Sequence, residues 1–315
     1  MPAVKFVEWD LDPKVRAEVG RGPGIAAINP GLPSSMLVTD RYSMAYSHLK
    51  SIRLSDGRAI EGDKVRGDIE DAWDDGKTLW VLATFALHRV DRDTMGVSAT
   101  IRVPHYRHRI VPLLRGRFLA LAQSHRQRTP VVSTRDNTVR TVHLPSPELS
   151  LDSDAGSVVF SFHHGHAFTY DTDLRKLATH PLPLGVTPVW SGAEIAFLPA
   201  SWQTARNVYP KDPRFRLLYP KGKIAWFDPE RWVPRRETPL SDVDGLLGTD
   251  ALGLLVGMDI EKGVVALIDP ASGDIVGRHK CSNRINSGVA QAGRSAIAYR
   301  HGLDRIAFVQ WSHGS

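Results

Sequence analysis

Histidine stands at His163, His164 and His166, with only Gly165 between the last two. Imidazole binds metals and moves protons near neutral pH. In an extended strand, His164 and His166 share a face. If Gly165 instead makes a tight turn, His163 and His166 meet across it. Two imidazoles do not complete a zinc site, which takes about three or four ligands. A further ligand would have to come from upstream, where His105, His108 and His125 are the candidates. No cofactor is predicted outright, and a divalent metal is the one that these residues allow. The plainer alternative is a turn of surface histidines.

Recognition chemistry is marked more strongly. Residues 200–222 mix Arg206, Lys211, Arg214, Arg216 and Lys221 with Trp202, Tyr209, Phe215 and Tyr219. Aromatic residues and arginine are the types that anchor interfaces. Arginine also holds carboxylates and phosphates through paired N–H groups. A second basic run, RVPHYRHRIVPLLRGR (102–117), centres on Arg107 and Arg109, and Arg126 and Arg128 follow it. The competing reading for both is a loop packed on its own sheet with a solvated, charged rim that blocks edge association. Cys281 follows His279 by two residues, a spacing open to a thiol–imidazole pair, although a buried structural thiol is the commoner case. Asp242-Val243-Asp244-Gly245 is too short for a calcium loop of the EF-hand kind. No Gly-x-Ser-x-Gly elbow, phosphate-binding loop or dinucleotide fingerprint is present.

These groups must be positioned by a repeat. An apolar run that ends in aspartate, a turn and a second short strand recur along the chain, with the aspartate at Asp56, Asp91, Asp136, Asp171, Asp228 and Asp269. The spacing is roughly 35–45 residues, stretched once between Asp171 and Asp228 by the segment at 200–222. Each marker hairpin is preceded by another apolar strand, such as KTLWVLAT (77–84) or GRFLALAQ (116–123). Helical periodicity is nearly absent. About four short strands per unit predict an all-β, single-domain β-propeller over residues 1–315, with an insertion at about 200–222. The last unit lacks a strand, and VKFVEW (4–9) has no unit of its own. The N-terminal strand is therefore expected to close the final blade, giving seven blades. Six is the alternative, because residues 11–35 are irregular and the fifth unit is stretched.

The hairpins DPASGDIVGR (269–278) and FDPERWVPRRE (227–237) resemble those of the broad β-propeller superfamily of WD40-like, YVTN-like and quinoprotein-like repeats. The resemblance implies the fold alone. The Gly-His and Trp-Asp blade signature of true WD40 repeats is missing, and no functional residue is carried over from any relative.

The chain has 315 residues, a formal net charge of +6 and one cysteine. A single cysteine excludes a disulfide framework and a cysteine-based zinc site. The N-terminus has no long apolar run of the secretory kind, and no stretch is long enough to span a membrane, so a cytoplasmic protein is expected. The modest positive excess permits an acidic protein or peptide partner. Nucleic acid ranks lower, because the sign fits but no recognition motif is present.

Two readings follow. One is a non-catalytic platform that binds a protein or peptide through Trp202, Arg206, Tyr209, Arg214, Phe215, Arg216, Tyr219, Arg107 and Arg109. Holding a peptide substrate in a biosynthetic pathway fits the same charge. The other is a propeller lyase or hydrolase with a histidine-based metal or acid–base site at the channel mouth.

Overall fold

Short runs rich in β-branched and aromatic residues, separated by Asp, Gly and Pro, favour strands and tight turns over helices. In the computed structural model, every regular element among the described residues is a strand. The described residues are 3–12, 14, 35–43, 46–53, 55–74, 78–103, 109–114, 116–122, 128–144, 149–152, 159–163, 166–181, 186–191, 194–199, 223–228, 231–239, 243, 245–285, 287–292, 295–301 and 305–314.

The chain opens with β1 (Val4–Asp10), and β2 (Ser35–Ser43), β3 (Tyr46–Arg53) and β4 (Ala59–Arg66) then pair in that order. Five four-stranded sheets follow. The first two comprise β5 (Ile69–Asp74), β6 (Leu79–Ala83), β7 (Ala86–Val90) and β8 (Val97–Arg102), then β9 (Arg109–Leu113), β10 (Phe118–Ala122), β11 (Thr129–Ser133) and β12 (Val139–Val142). The third is β13 (Leu149–Asp152), β14 (Val159–His163), β15 (His166–Tyr170) and β16 (Lys176–Pro181). The fourth is β17 (Val186–Ser191), β18 (Glu194–Pro199), β19 (Lys223–Asp228) and β20 (Val233–Pro239), and the fifth is β21 (Gly245–Thr249), β22 (Leu255–Asp259), β23 (Val264–Ile268) and β24 (Ile275–Lys280). The final sheet joins β25 (Ser287–Ala292), β26 (Ala296–His301) and β27 (Arg305–His313) to β1. β1 lies antiparallel to β27 from Val4 opposite His313 to Asp10 opposite Ala307. All sheets are antiparallel, and each four-stranded sheet runs from an inner strand to an outer one, which in the last sheet is β1.

The inner strands of successive sheets are neighbours from β5 through β9, β13, β17 and β21 to β25. The apolar cores lie between sheets and not within them. Leu49 and Val65 pack with Leu79, Val81 and Met95. Trp80 and Leu82 pack with Ile110, Leu119 and Val132. Val256 and Val265 pack with Ile297, Val309 and Trp311. Strands such as LWVLA and VVALI are buried along their whole length because both of their faces meet a neighbouring sheet. This face-to-face stacking around a closed ring is a single-domain β-propeller.

The six marker aspartates have one shared task. Each carboxylate accepts a hydrogen bond from a backbone N–H just ahead of it: Arg58 at 3.0 Å for Asp56, Thr94 at 2.9 Å for Asp91 and Thr138 at 3.3 Å for Asp136. Asp171 accepts from Arg175 at 2.9 Å, Asp228 from Arg231 at 3.1 Å and Asp269 from Ala271 at 2.7 Å. This is the local chemistry that makes aspartate a turn former.

Near the end of each of these turns one residue takes a left-handed backbone: Gly57, Met95, Asn137, Leu174, Trp232 and Gly273, with φ from 56° to 78°. A side chain there costs about 1–2 kcal/mol. Met95, Leu174 and Trp232 offset that cost by burial against the preceding sheet, which is worth roughly 1.5–3 kcal/mol for a large apolar side chain. Met95 joins Leu49 and Val65, Leu174 joins Val111 and Leu113, and the Trp232 ring stacks on His180 with centroids 5.1 Å apart. The β4 position facing Met95 is Gly62, where an added Cβ would lie 2.1 Å from the Met95 Cβ. The turn of one sheet is thus a plug in the outer part of the sheet before it.

Candidate binding face

Two kinds of connection leave each sheet at the same end: the link from second to third strand, and the link from the outer strand to the next sheet. Backbone hydrogen bonds tie them together. Thr84 N–H donates to Asp68 O at 3.0 Å, Val103 N–H to Phe85 O at 3.0 Å and Cys281 N–H to Gly263 O at 2.8 Å. Thr129 Oγ1 donates to Leu144 O at 3.1 Å. The marker turns leave at the other end of their sheets. Because each sheet repeats the same order from the channel outward, connections of one kind emerge on one face of the ring.

The segments singled out by their chemistry all leave on that face, in successive sectors. Arg109, the first residue of β9, is the register partner of Ala122, the last residue of β10. The basic segments 104–108 and 123–127 therefore start from adjacent strand ends. Exposed Arg102 and Arg128 stand at their far sides. In the next sheet His163 and His166 are direct register partners, so a two-residue link joins them. In the sheet after that, β18 ends at Pro199 and β19 begins at Lys223, which is paired with Pro239. These ends bracket residues 200–222.

Trp202, Arg206, Tyr209, Arg214, Phe215, Arg216 and Tyr219 lie outside the described residues, as do Arg107, His164 and the upstream His105, His108 and His125. Arg109 and His163 are placed by their backbone. His166 is exposed, with its ring tilted against Phe168 at 6.0 Å. Among the described residues, no group of three or more His, Cys, Asp or Glu is placed to hold a metal. The basic residues of the β20 strand are committed elsewhere. Arg235 makes a paired contact to Asp228 at 2.7 and 3.2 Å. Arg236 lies 4.0 Å above the Trp226 ring, 3.1 Å from Glu194, and donates to Pro270 O.

The His279–Cys281 pair separates in the structure. His279 turns to Glu8 on the closing strand, 2.8 Å away. Cys281 is buried, and burial together with the Glu8 charge pushes its thiol up to about 11. It is a packed thiol and not a thiolate nucleophile.

What the residue types alone did not bring out is the cluster around Glu8. Its carboxylate accepts from the Tyr299 hydroxyl, from Ser282 N–H at 3.1 and 2.9 Å and from Ser282 Oγ at 2.9 Å, besides the His279 contact. Tyr299 reaches β1 across β27, where small Ala307 is its register partner. Burial alone would raise the Glu8 carboxyl, but the donors from Tyr299, His279 and Ser282 outweigh it and hold it below its ordinary value. The burial of Tyr299 and the Glu8 charge keep the phenol protonated. Two further imidazole–carboxylate pairs lie along the same seam, His301–Asp10 at 2.9 Å and His313–Asp250 at 2.8 Å. The available signal was the period of two in β1, which puts Glu8 and Asp10 on the side of apolar Val4 and Phe6.

A ring of antiparallel sheets, closed by the N-terminal strand, defines the chain as a β-propeller. Solved structures agree. The WD40 domain of Toxoplasma gondii coronin is similar over 100% of this chain and 87% of its own, with a TM-score of 0.71 at 10% identity. A streptogramin B lyase is similar over 98% of both chains, with a TM-score of 0.66 at 10% identity. The WD40 domain of Neurospora crassa Pan2 covers 96% of this chain and 95% of its own, at 0.64 and 9%. At these identities the likeness establishes the fold. The chain matches no protein-family model and no curated protein sequence.

Proposed function

We propose that this protein is a seven-bladed propeller whose linking face binds an acidic protein or peptide in the cytoplasm. Seven sheets among the described residues support the blade number. One observation carries the binding reading: the strand ends bracketing the basic, histidine and aromatic segments belong to three successive sheets and open on one face. On this reading Arg107, Arg109, Arg214 and Arg216, with Trp202, Arg206, Tyr209, Phe215 and Tyr219, are the residues that contact the partner. Two of the similar folds are WD40 domains, and propeller faces suit protein partners.

The test is charge reversal. The variant Arg214→Glu/Arg216→Glu is expected to weaken partner binding by about tenfold or more at low salt, and to flatten its salt dependence. Unchanged affinity at low salt would remove this surface from the site.

A lyase or hydrolase is the second reading, favoured by the pairing of His163 with His166 on the same face. It requires metal that stays bound through dialysis and is lost in His166→Ala.

A further inference from the structure

Next to the basic sector, the sheets of β2–β4 and β5–β8 carry a strip that meets the basic run only at Arg102. Tyr46 opens β3 with 45% of its surface exposed. Phe85, in the two-residue turn between β6 and β7, is 63% exposed. Each aromatic stands by an arginine at the end of its sheet's outer strand. Arg66 is the register partner of Tyr46, and Arg102 is the register partner of Ala86, beside Phe85. Tyr46 and Arg66, as direct register partners, project to the same side of their sheet, while Phe85 sits in the turn one residue before Arg102's partner. Both arginines are exposed, and among the described residues neither forms an ion pair.

The two sheets are fixed to one another at this strip. Ser47 Oγ donates to Gly67 O at 2.8 Å, and Asp68 N–H donates to Thr84 Oγ1 at 3.1 Å. Gly67 has φ +92°, and an added Cβ would come within 2.7 Å of Thr84 Oγ1. Through these bonds Tyr46 and Arg66 are joined to Phe85 and Arg102, as one preorganised strip and not as scattered surface residues. Asp68, in the link between β4 and β5, is half-buried, with its backbone bonded to Thr84.

We propose that this strip anchors an acidic peptide segment of the partner that carries aromatic or aliphatic side chains. The Tyr46 and Phe85 rings take the apolar side chains, and the Arg66 and Arg102 guanidinium groups take the flanking carboxylates. Rigid aromatics lose little side-chain entropy on binding, and arginine beside them supplies paired N–H donors to a carboxylate. The inference rests on the acidic-partner reading and extends it into the sector before the basic segments.

The probe is a short fluorescein-labelled peptide alternating Glu with Phe and Leu, read by fluorescence anisotropy. A matching peptide with Ser in place of Phe and Leu is the control. The dissociation constant for the apolar peptide is expected to rise about tenfold or more in Tyr46→Ser/Phe85→Ser. The Ser control is expected to respond little to that variant. Both positions are exposed, so the variant should melt with the wild type. If Tyr46→Ser/Phe85→Ser matches the wild type while Arg214→Glu/Arg216→Glu weakens binding, the strip is refuted and the face reading stands. If the wild type binds neither peptide, both are refuted.

Discussion

Deletion of residues 1–11 is expected to make the protein elute as aggregate. β1 covers β27 from Ala307 to His313, so its loss uncovers a long edge of unpaired N–H and C=O groups. It also strips Val4 and Phe6 from the core that they share with Val265, Val309 and Trp311. An open, apolar strand edge is a template for pairing with a second chain. A synthetic peptide of residues 3–12, added during refolding, should restore part of the soluble fraction because it supplies the missing strand. A deletion variant that stays soluble and melts with the full chain would show that β1 does not close the ring.

The second large effect is at Glu8. Glu8→Ala is expected to lower stability by about 3 kcal/mol, because it leaves the buried Tyr299 hydroxyl and the Ser282 N–H without their acceptor. Chemical denaturation gives the number. Glu8→Gln separates charge from shape. The Glu8 carboxyl is held below its ordinary 4.5, so its ionised form is favoured in the folded state. That contribution is present above about 4.5 and is lost as the pH falls through the folded value. The stability gap between wild type and Glu8→Gln should therefore be widest near neutrality and should narrow on acidification. A gap that is constant down to the lowest pH at which the ring holds would mean that the carboxylate is not the latch.

Legibility from sequence divides along the range of the interactions. The marker aspartates were visible because each acts within a few residues, bonding the N–H groups of its own turn, and such chemistry repeats wherever the turn repeats. Strands such as Val264–Ile268 were visible because burial on both faces demands an unbroken apolar run. Met95, Leu174 and Trp232 are different. Local preference disfavours a left-handed backbone at such residues, and only packing into the preceding sheet outweighs that preference. The Glu8 cluster is more remote still: His279 is 271 residues away in the chain. For the binding face, composition picked out Arg107, Arg109 and the 200–222 segment. Only strand register showed that their bracketing ends open on one face, with the sheet of His163 and His166 between them. The Tyr46–Phe85 strip was not legible because isolated exposed aromatics are ordinary, and the bonds that join the two sheets leave no mark in the sequence.

The most direct test of the binding account is hydrogen–deuterium exchange on the protein with and without the partner that it retains from its native lysate at low salt. The account predicts protection in residues 102–109, 123–128, 163–166 and 200–222, with the marker turns at 91–96, 171–175 and 269–274 unchanged. Protection confined to those marker turns, with the linking face exchanging as in the free protein, would contradict it.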